Sequence, residues 1–340
     1  MRRRRRLVLR SAVAVAIVAA AYVWVLPQIA DYGSVGARLA TVSAWWAAAL
    51  AAVAVLDVLS SALPWKTLLP ELSWLDAIGF TQASTSLQTF VPGGAPVGVG
   101  ISFGILRRLG IGAGAAGFAV ALVGIWSQVT IFLYPVVGVV LLLASGELSG
   151  TVTAAVAASG GAAVLAAAAA VYALRSRAAA VRLAGQVLRA ATLGARLLRR
   201  EPPRWDVDAL LRLRDERVGL LRRRWPALTL GTLANQLTAY ILLDLSLRAV
   251  GVSLHELSLA ETFLAWALGR LIASLPLTPG GIGVVELGLI GLLVGFGGGN
   301  AHVVAAVLLY RGLIVVPTLI AGALTFLAWR VRGVRASAAA

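Results

Sequence analysis

An all-α polytopic membrane protein is the fold class this sequence predicts, and three observations carry the prediction. Sixty per cent of its 340 residues are hydrophobic, at a mean hydropathy of +0.90. Several apolar runs reach the roughly 20 residues that a helix needs to cross hydrocarbon. Segments of alternating polarity are absent, so barrel strands are excluded and the spanning elements are helices, which satisfy their own backbone groups. The same composition removes whole classes of function. Cysteine is absent, which excludes disulfides and thiolate chemistry, and two isolated histidines, His255 and His302, offer no metal centre. No Gly-x-x-x-x-Gly-Lys-Ser/Thr loop is present, so direct drive by ATP is not expected, and no cofactor is implied. A net charge of +16 would suggest nucleic acid in a soluble chain. Here the arginines flank apolar runs, which is the orientation signal of membrane insertion, and nucleic acid is not an expected partner.

The chain opens with six arginines among its first ten residues, followed by an apolar run from Leu7 to Leu26. That run is long for a signal peptide and no small-residue cleavage site stands out, so a signal anchor with its N-terminus inside is expected. A second span, Thr41 to Leu63, returns to Lys66, with Trp45, Trp46 and Trp65 suited to the interfaces. Asp76 to Val91 holds only 16 residues, about 24 Å of helix against a hydrocarbon core of about 30 Å. It stops at Pro92-Gly93-Gly94, and the equally short Pro96 to Leu106 then runs into Arg107 and Arg108. Both ends of this unit look cytoplasmic, which describes a re-entrant hairpin entering from inside.

Ile111 to about Leu143 is a long apolar segment, broken at Pro135 and read as one span, and Thr151 to Leu174 returns to the inside. From Arg175 to Arg224 the chain carries 14 arginines against five acids, which the positive-inside rule makes cytoplasmic. Arg175, Arg182, Arg189 and Arg196 recur every seventh residue there. Either an interfacial amphipathic helix or plain topology-setting charge accounts for them. Leu228 to Val250 crosses outward, Glu261 to Leu275 is again short, and Pro279-Gly280-Gly281 interrupts the chain before Ile282 to Phe296. Val303 to Trp329 then crosses inward to Arg330, Arg332 and Arg335.

The tally is one integral membrane domain, 1–340, with about six full spans and two re-entrant helical hairpins in an inverted repeat. The first repeat covers 1–145 and the second 151–330, with a cytoplasmic basic insert at 175–225. Both termini are cytoplasmic in the cell membrane, and the same holds for the alternative in which each hairpin is a kinked span and the crossings number eight. Inverted repeats of this kind place broken helices opposite one another at a mid-membrane site.

The candidate site residues follow from the two breaks. Pro92, Gly93 and Gly94 and their counterparts Pro279, Gly280 and Gly281 lie 187 positions apart. In each copy the glycines let the chain turn and let a ligand approach the backbone. The helix restarting after each break aims free N–H groups toward the membrane centre, which favours an anion such as phosphate. Charges at depth cost about 3 kcal/mol each on insertion scales, so Arg270, Glu286 and Arg311 need partners or water. Arg270 is a candidate phosphate ligand, whereas Glu286 and Arg311 either pair or face a shared cavity. Asp57, Asp244 and Arg248 read as structural, the last two as an i, i+4 pair. The polar runs Thr81, Ser84, Thr85, Ser86, Gln88 and Thr89, and Asn235, Gln236 and Thr238, either line a wet path or join helices.

The stretch LPLTPGGIGVVELG, Leu275 to Gly288, with Arg311, Pro317 and Gly322 in the last span, resembles the transmembrane flippase-like domain of lysylphosphatidylglycerol synthases and their stand-alone relatives. PGGAPVGVGISFGILRRL, Pro92 to Leu109, looks like the glycine-rich first segment of that family. The resemblance implies a non-enzymatic protein that moves an anionic phospholipid or a polyprenyl-phosphate-linked sugar between leaflets, with membrane lipids as its partners; a homo-oligomer is compatible with it. Two departures stand out. Many relatives carry an acidic and arginine pattern where this chain has Gly124-Ile125-Trp126-Ser127-Gln128, and the aminoacyl-transferase domain of the full synthases is not expected after Arg330. The alternative is a non-transporting membrane scaffold that recruits a partner through its basic loop.

Overall fold

The computed structural model describes residues 32–90, 94–145, 207–274 and 281–331, and every regular element among them is an α-helix. In chain order these are α1 (Tyr32–Ala40), α2 (Ala44–Ser60), α3 (Leu63–Leu68), α4 (Trp74–Phe90), α5 (Gly94–Arg108), α6 (Ala113–Ser145), α7 (Val207–Ala249), α8 (Leu259–Ser274), α9 (Val284–Gly295) and α10 (Asn300–Val331). The expected spans Leu7 to Leu26 and Thr151 to Leu174, and most of the basic insert, lie outside the described residues.

Among the described residues, three stretches are long and apolar enough to cross a membrane: Ala44–Leu68, Ala113–Ser145 and Asn300–Trp329. They coincide with three of the expected spans. A fourth, Leu228 to Val250, forms the C-terminal half of α7. Asn235, Gln236, Asp244 and Arg248 lower its hydropathy, and it is continuous with the end of the basic insert. Pro135 does not break its segment as expected. It sits inside an unbroken α6, where only the carbonyl of Ile131 loses its helical donor, a loss that buried membrane helices tolerate.

Each short, rather polar helix predicted before a Pro-Gly-Gly is present, as α4 and α8, and each is followed by a second short helix packed against it, α5 and α9. The packing beyond these pairs is reciprocal. The most extensive contacts of α4 are with α10, the helix that follows the second break, and those of α8 are with α6, the helix that follows the first. Both junctions are backbone-close. A Cβ at Gly79 would come within 2.7 Å of Thr325, and one at Gly138 would come within 3.1 Å of Leu264 Cα. Between them, α2 and α7 pack side by side at the centre.

Two large apolar clusters follow from this arrangement. One gathers Leu50 of α2, Leu243 of α7, Trp266 of α8, Leu289 of α9 and Val304 of α10. The other joins α3 to α6 through Leu68, Phe80, Leu106 and Ala116. Large apolar side chains also cover the outside, among them Leu56, Leu143, Leu230 and Leu324. Such an apolar perimeter is what a surrounding bilayer covers.

Candidate functional site

The second break builds a charged centre inside the larger cluster. After the break the chain turns through two residues that side chains rarely permit, Gly281 at φ +67° and Gly283 at φ +85°, so only glycine fits here without strain. Gly283 caps α9. Three residues on, Glu286 reaches back, and its Oε2 accepts the Gly283 N–H at 2.8 Å. The other carboxylate oxygen, Oε1, accepts from Arg311 Nε of α10 at 2.8 Å. Glu286 is 2 % exposed and Arg311 13 %. The pair therefore fastens the start of α9 to α10, and the carboxylate also complements the positive end of the α9 dipole.

Arg270 of α8 stands on the other side of this centre. Its Nε is buried and makes no hydrogen bond among the described residues. Its charge acts on Asp57 of α2 and on the hydroxyls of Tyr134 in α6 and Tyr310 in α10. The Tyr134 hydroxyl is likewise buried without a partner among the described residues. Asp57 accepts a 2.7 Å bond from Thr238 Oγ1 of α7. Trp266, which is 1 % exposed, packs against Tyr134 at 4.9 Å and Tyr240 at 5.8 Å between ring centres. Two carboxylates and two guanidinium groups, carried by α2, α8, α9 and α10, thus share one apolar enclosure.

Of the expected site residues, the structure brings together Glu286 and Arg311, with Gly281 just ahead of the α9 cap and Arg270 as a second cation. Pro92, Gly93, Pro279 and Gly280 lie outside the described residues. Gly94 opens α5, whose contacts are chiefly with α4 and α6 rather than with the charged helices. Asp57, which the sequence reasoning read as structural, and Thr238, which it placed in a polar run, belong to the centre, as do Tyr134 and Tyr310, which it did not name. A single acid amid the apolar residues of α2 was the available signal for Asp57; nothing in the spacing marked the tyrosines.

Parts of both polar runs join helices, while Thr81 and Ser84 bond within α4. Ser86 donates to Thr318 O at 2.8 Å, Gln82 to Ser61 at 3.0 Å, and Gln236 to Thr130 at 2.7 Å. Arg248 is structural too, holding Asp244 and the carbonyls of Val252, Ser253 and Leu257.

Beside the charged centre, α6, α8 and α9 leave an open apolar groove of about 630 Å³, lined by Phe132, Leu268, Leu271, Ile272, Leu287 and Leu292 among others. One helix, α8, separates the two: Arg270 faces inward and Leu271 lines the groove.

A family model described as the lysylphosphatidylglycerol synthase TM region matches residues 11–322. The search of curated proteins found no match.

Proposed function

The chain belongs to the family of lysylphosphatidylglycerol synthase transmembrane regions, and we propose that this multi-pass membrane protein moves an anionic phospholipid or a polyprenyl-phosphate-linked sugar between the leaflets of the cell membrane. The observation that carries the reading is Arg270, a half-buried arginine whose Nε is buried and makes no hydrogen bond among the described residues, one helix away from an apolar groove. A lipid needs both kinds of surface at once. A phosphate stripped of water needs fixed donors, which Arg270 and the Tyr134 hydroxyl supply. Acyl or prenyl chains need an apolar surface continuous with the bilayer, which the groove supplies.

In this reading Glu286 and Arg311 hold the hairpin end in place, and Arg270 meets the headgroup. The two breaks are re-entrant hairpins of an inverted repeat, 1–145 and 151–330, with both termini and the basic insert in the cytoplasm. Support comes from the reciprocal packing of α4 on α10 and of α8 on α6, since a pair of exchanged hairpins lets one half rock against the other around a shared centre. The role is transport, without covalent change to the lipid.

The test is transbilayer movement of fluorescent phosphatidylglycerol and of a labelled prenyl phosphate in proteoliposomes. Movement above protein-free vesicles, lowered at least tenfold by Arg270→Gln, is the expected result. Rates equal to those of protein-free vesicles for both lipids would refute the proposal.

A further inference from the structure

Two carboxylates lie in the charged centre, and they are not equivalent. Glu286 has both oxygens engaged, one by Arg311 and one by the Gly283 N–H. Asp57 has one oxygen engaged, by Thr238, and its Oδ2 accepts no hydrogen bond among the described residues. Neither oxygen of Glu286 is left open. Asp57 can take a proton without breaking a bond.

Position matters as much as bonding. Asp57 lies in the last turn of α2, within the apolar stretch Ala44–Leu68, and an uncompensated charge inside a membrane segment costs about 3 kcal/mol. The groups around it come from every neighbouring helix: Thr238 and Asn235 from α7, Arg270 from α8, Tyr310 from α10, on which Arg311 also acts, and the neutral Gln82 of α4 one turn away on Ser61. With Asp57 and Glu286 facing Arg270 and Arg311, the centre is electrically balanced. A phosphodiester arriving at Arg270 adds one negative charge and takes over the cation that compensates Asp57.

We infer that Asp57 takes up a proton when an anionic headgroup binds at Arg270, so that lipid and proton cross together as a neutral pair. This rests on the flippase reading for its substrate, and it adds an energy source, the proton gradient. The proton comes from whichever aqueous side the cavity faces and leaves on the other side when the lipid departs and Arg270 again compensates Asp57. Coupling of this kind makes transport respond to a pH difference and not to the membrane potential, because no net charge moves.

The experiment uses the full chain in detergent with dioctanoyl phosphatidylglycerol as the anionic probe and dioctanoyl phosphatidylcholine as the zwitterionic control. Binding is measured by calorimetry in buffers of different ionisation enthalpy, whose slope counts the protons exchanged. The expected result is uptake of about one proton per phosphatidylglycerol bound and none for phosphatidylcholine. Asp57→Asn abolishes the uptake while retaining binding, and Asp57→Glu keeps it. Should Asp57→Asn fail to fold, the contrast between the two lipids on the wild-type chain, with Asp57→Glu, decides. Phosphatidylglycerol binding without proton uptake, equal uptake for both lipids, uptake that survives Asp57→Asn, or no binding of phosphatidylglycerol would each overturn the inference. Proton uptake on binding combined with no lipid movement in proteoliposomes would leave the uptake at Asp57 standing and remove the flippase reading, and with it the joint crossing of lipid and proton.

Discussion

Replacing Arg311 by alanine isolates the bond that fastens α9 to α10. The Arg311–Glu286 contact is 2.8 Å long, and its carboxylate is 2 % exposed. Removing one partner of such a pair costs about 3–5 kcal/mol, because the remaining charge stays desolvated. Here part of that is offset. Glu286 keeps the Gly283 N–H and the field of the α9 N-terminus, which together restore about 1 kcal/mol. A net loss of about 2–4 kcal/mol is therefore expected for Arg311→Ala. Glu286→Gln should cost less, because the cation it abandons is the more exposed partner, at 13 % against 2 %. Unfolding titrated with sodium dodecyl sulfate in mixed micelles measures both, and Glu286→Gln with Arg311→Gln closes a double-mutant cycle. A coupling of at least about 1 kcal/mol is expected for residues in direct contact. Single losses below about 1 kcal/mol, or losses that simply add, would refute the claim that this pair anchors the hairpin.

Three further substitutions test the frame around it. Gly322→Ala places a methyl group against Ser86 Oγ and 3.0 Å from Gln82 O; overpacking of this kind costs about 1–3 kcal/mol, and adding Ser86→Ala should recover part of the loss in the same micellar titration. Gly283→Ala forces a side chain onto a residue at φ +85°, with an expected penalty of at least about 1 kcal/mol; an unchanged midpoint would mean that the turn relaxes freely. Arg248→Ala removes four hydrogen bonds, to Asp244, Val252, Ser253 and Leu257. Limited proteolysis should then cut the 251–258 connection faster, while phosphatidylglycerol binding stays within about twofold of wild type.

Much of this architecture is legible before any coordinates. Hydropathy locates the helices because a membrane segment must be both apolar and long, and Pro-Gly-Gly locates the breaks because no helix runs through it easily. Glu286 and Arg311 announce themselves as charges in apolar runs, and their pairing follows once the last span lies beside the restarting helix. Periodicity does not reveal which helix packs on which. The exchange of α4 onto α10 depends on close approaches at Gly79 and Gly322, and glycines in a glycine-rich membrane chain do not single themselves out. The neighbours of Asp57 are hidden for the same reason. Its partners, Thr238 and Arg270, lie 181 and 213 positions away, and a lone acid carries no pointer across such a distance. Pro135 misled in the opposite direction, since a helix buried among neighbours keeps its course despite one missing donor.

The exchanged packing also sets an order of assembly in the cell. Ser86 is bonded to Thr318, 232 residues later in the chain. A ribosome delivers α4 long before it delivers the α10 surface on which that helix rests. Until α10 is made, α4 carries Ser86 and the notch at Gly79 without their final neighbours, Thr318 and Thr325. A chain truncated before Asn300 would leave that face of α4 uncovered, however intact its first half.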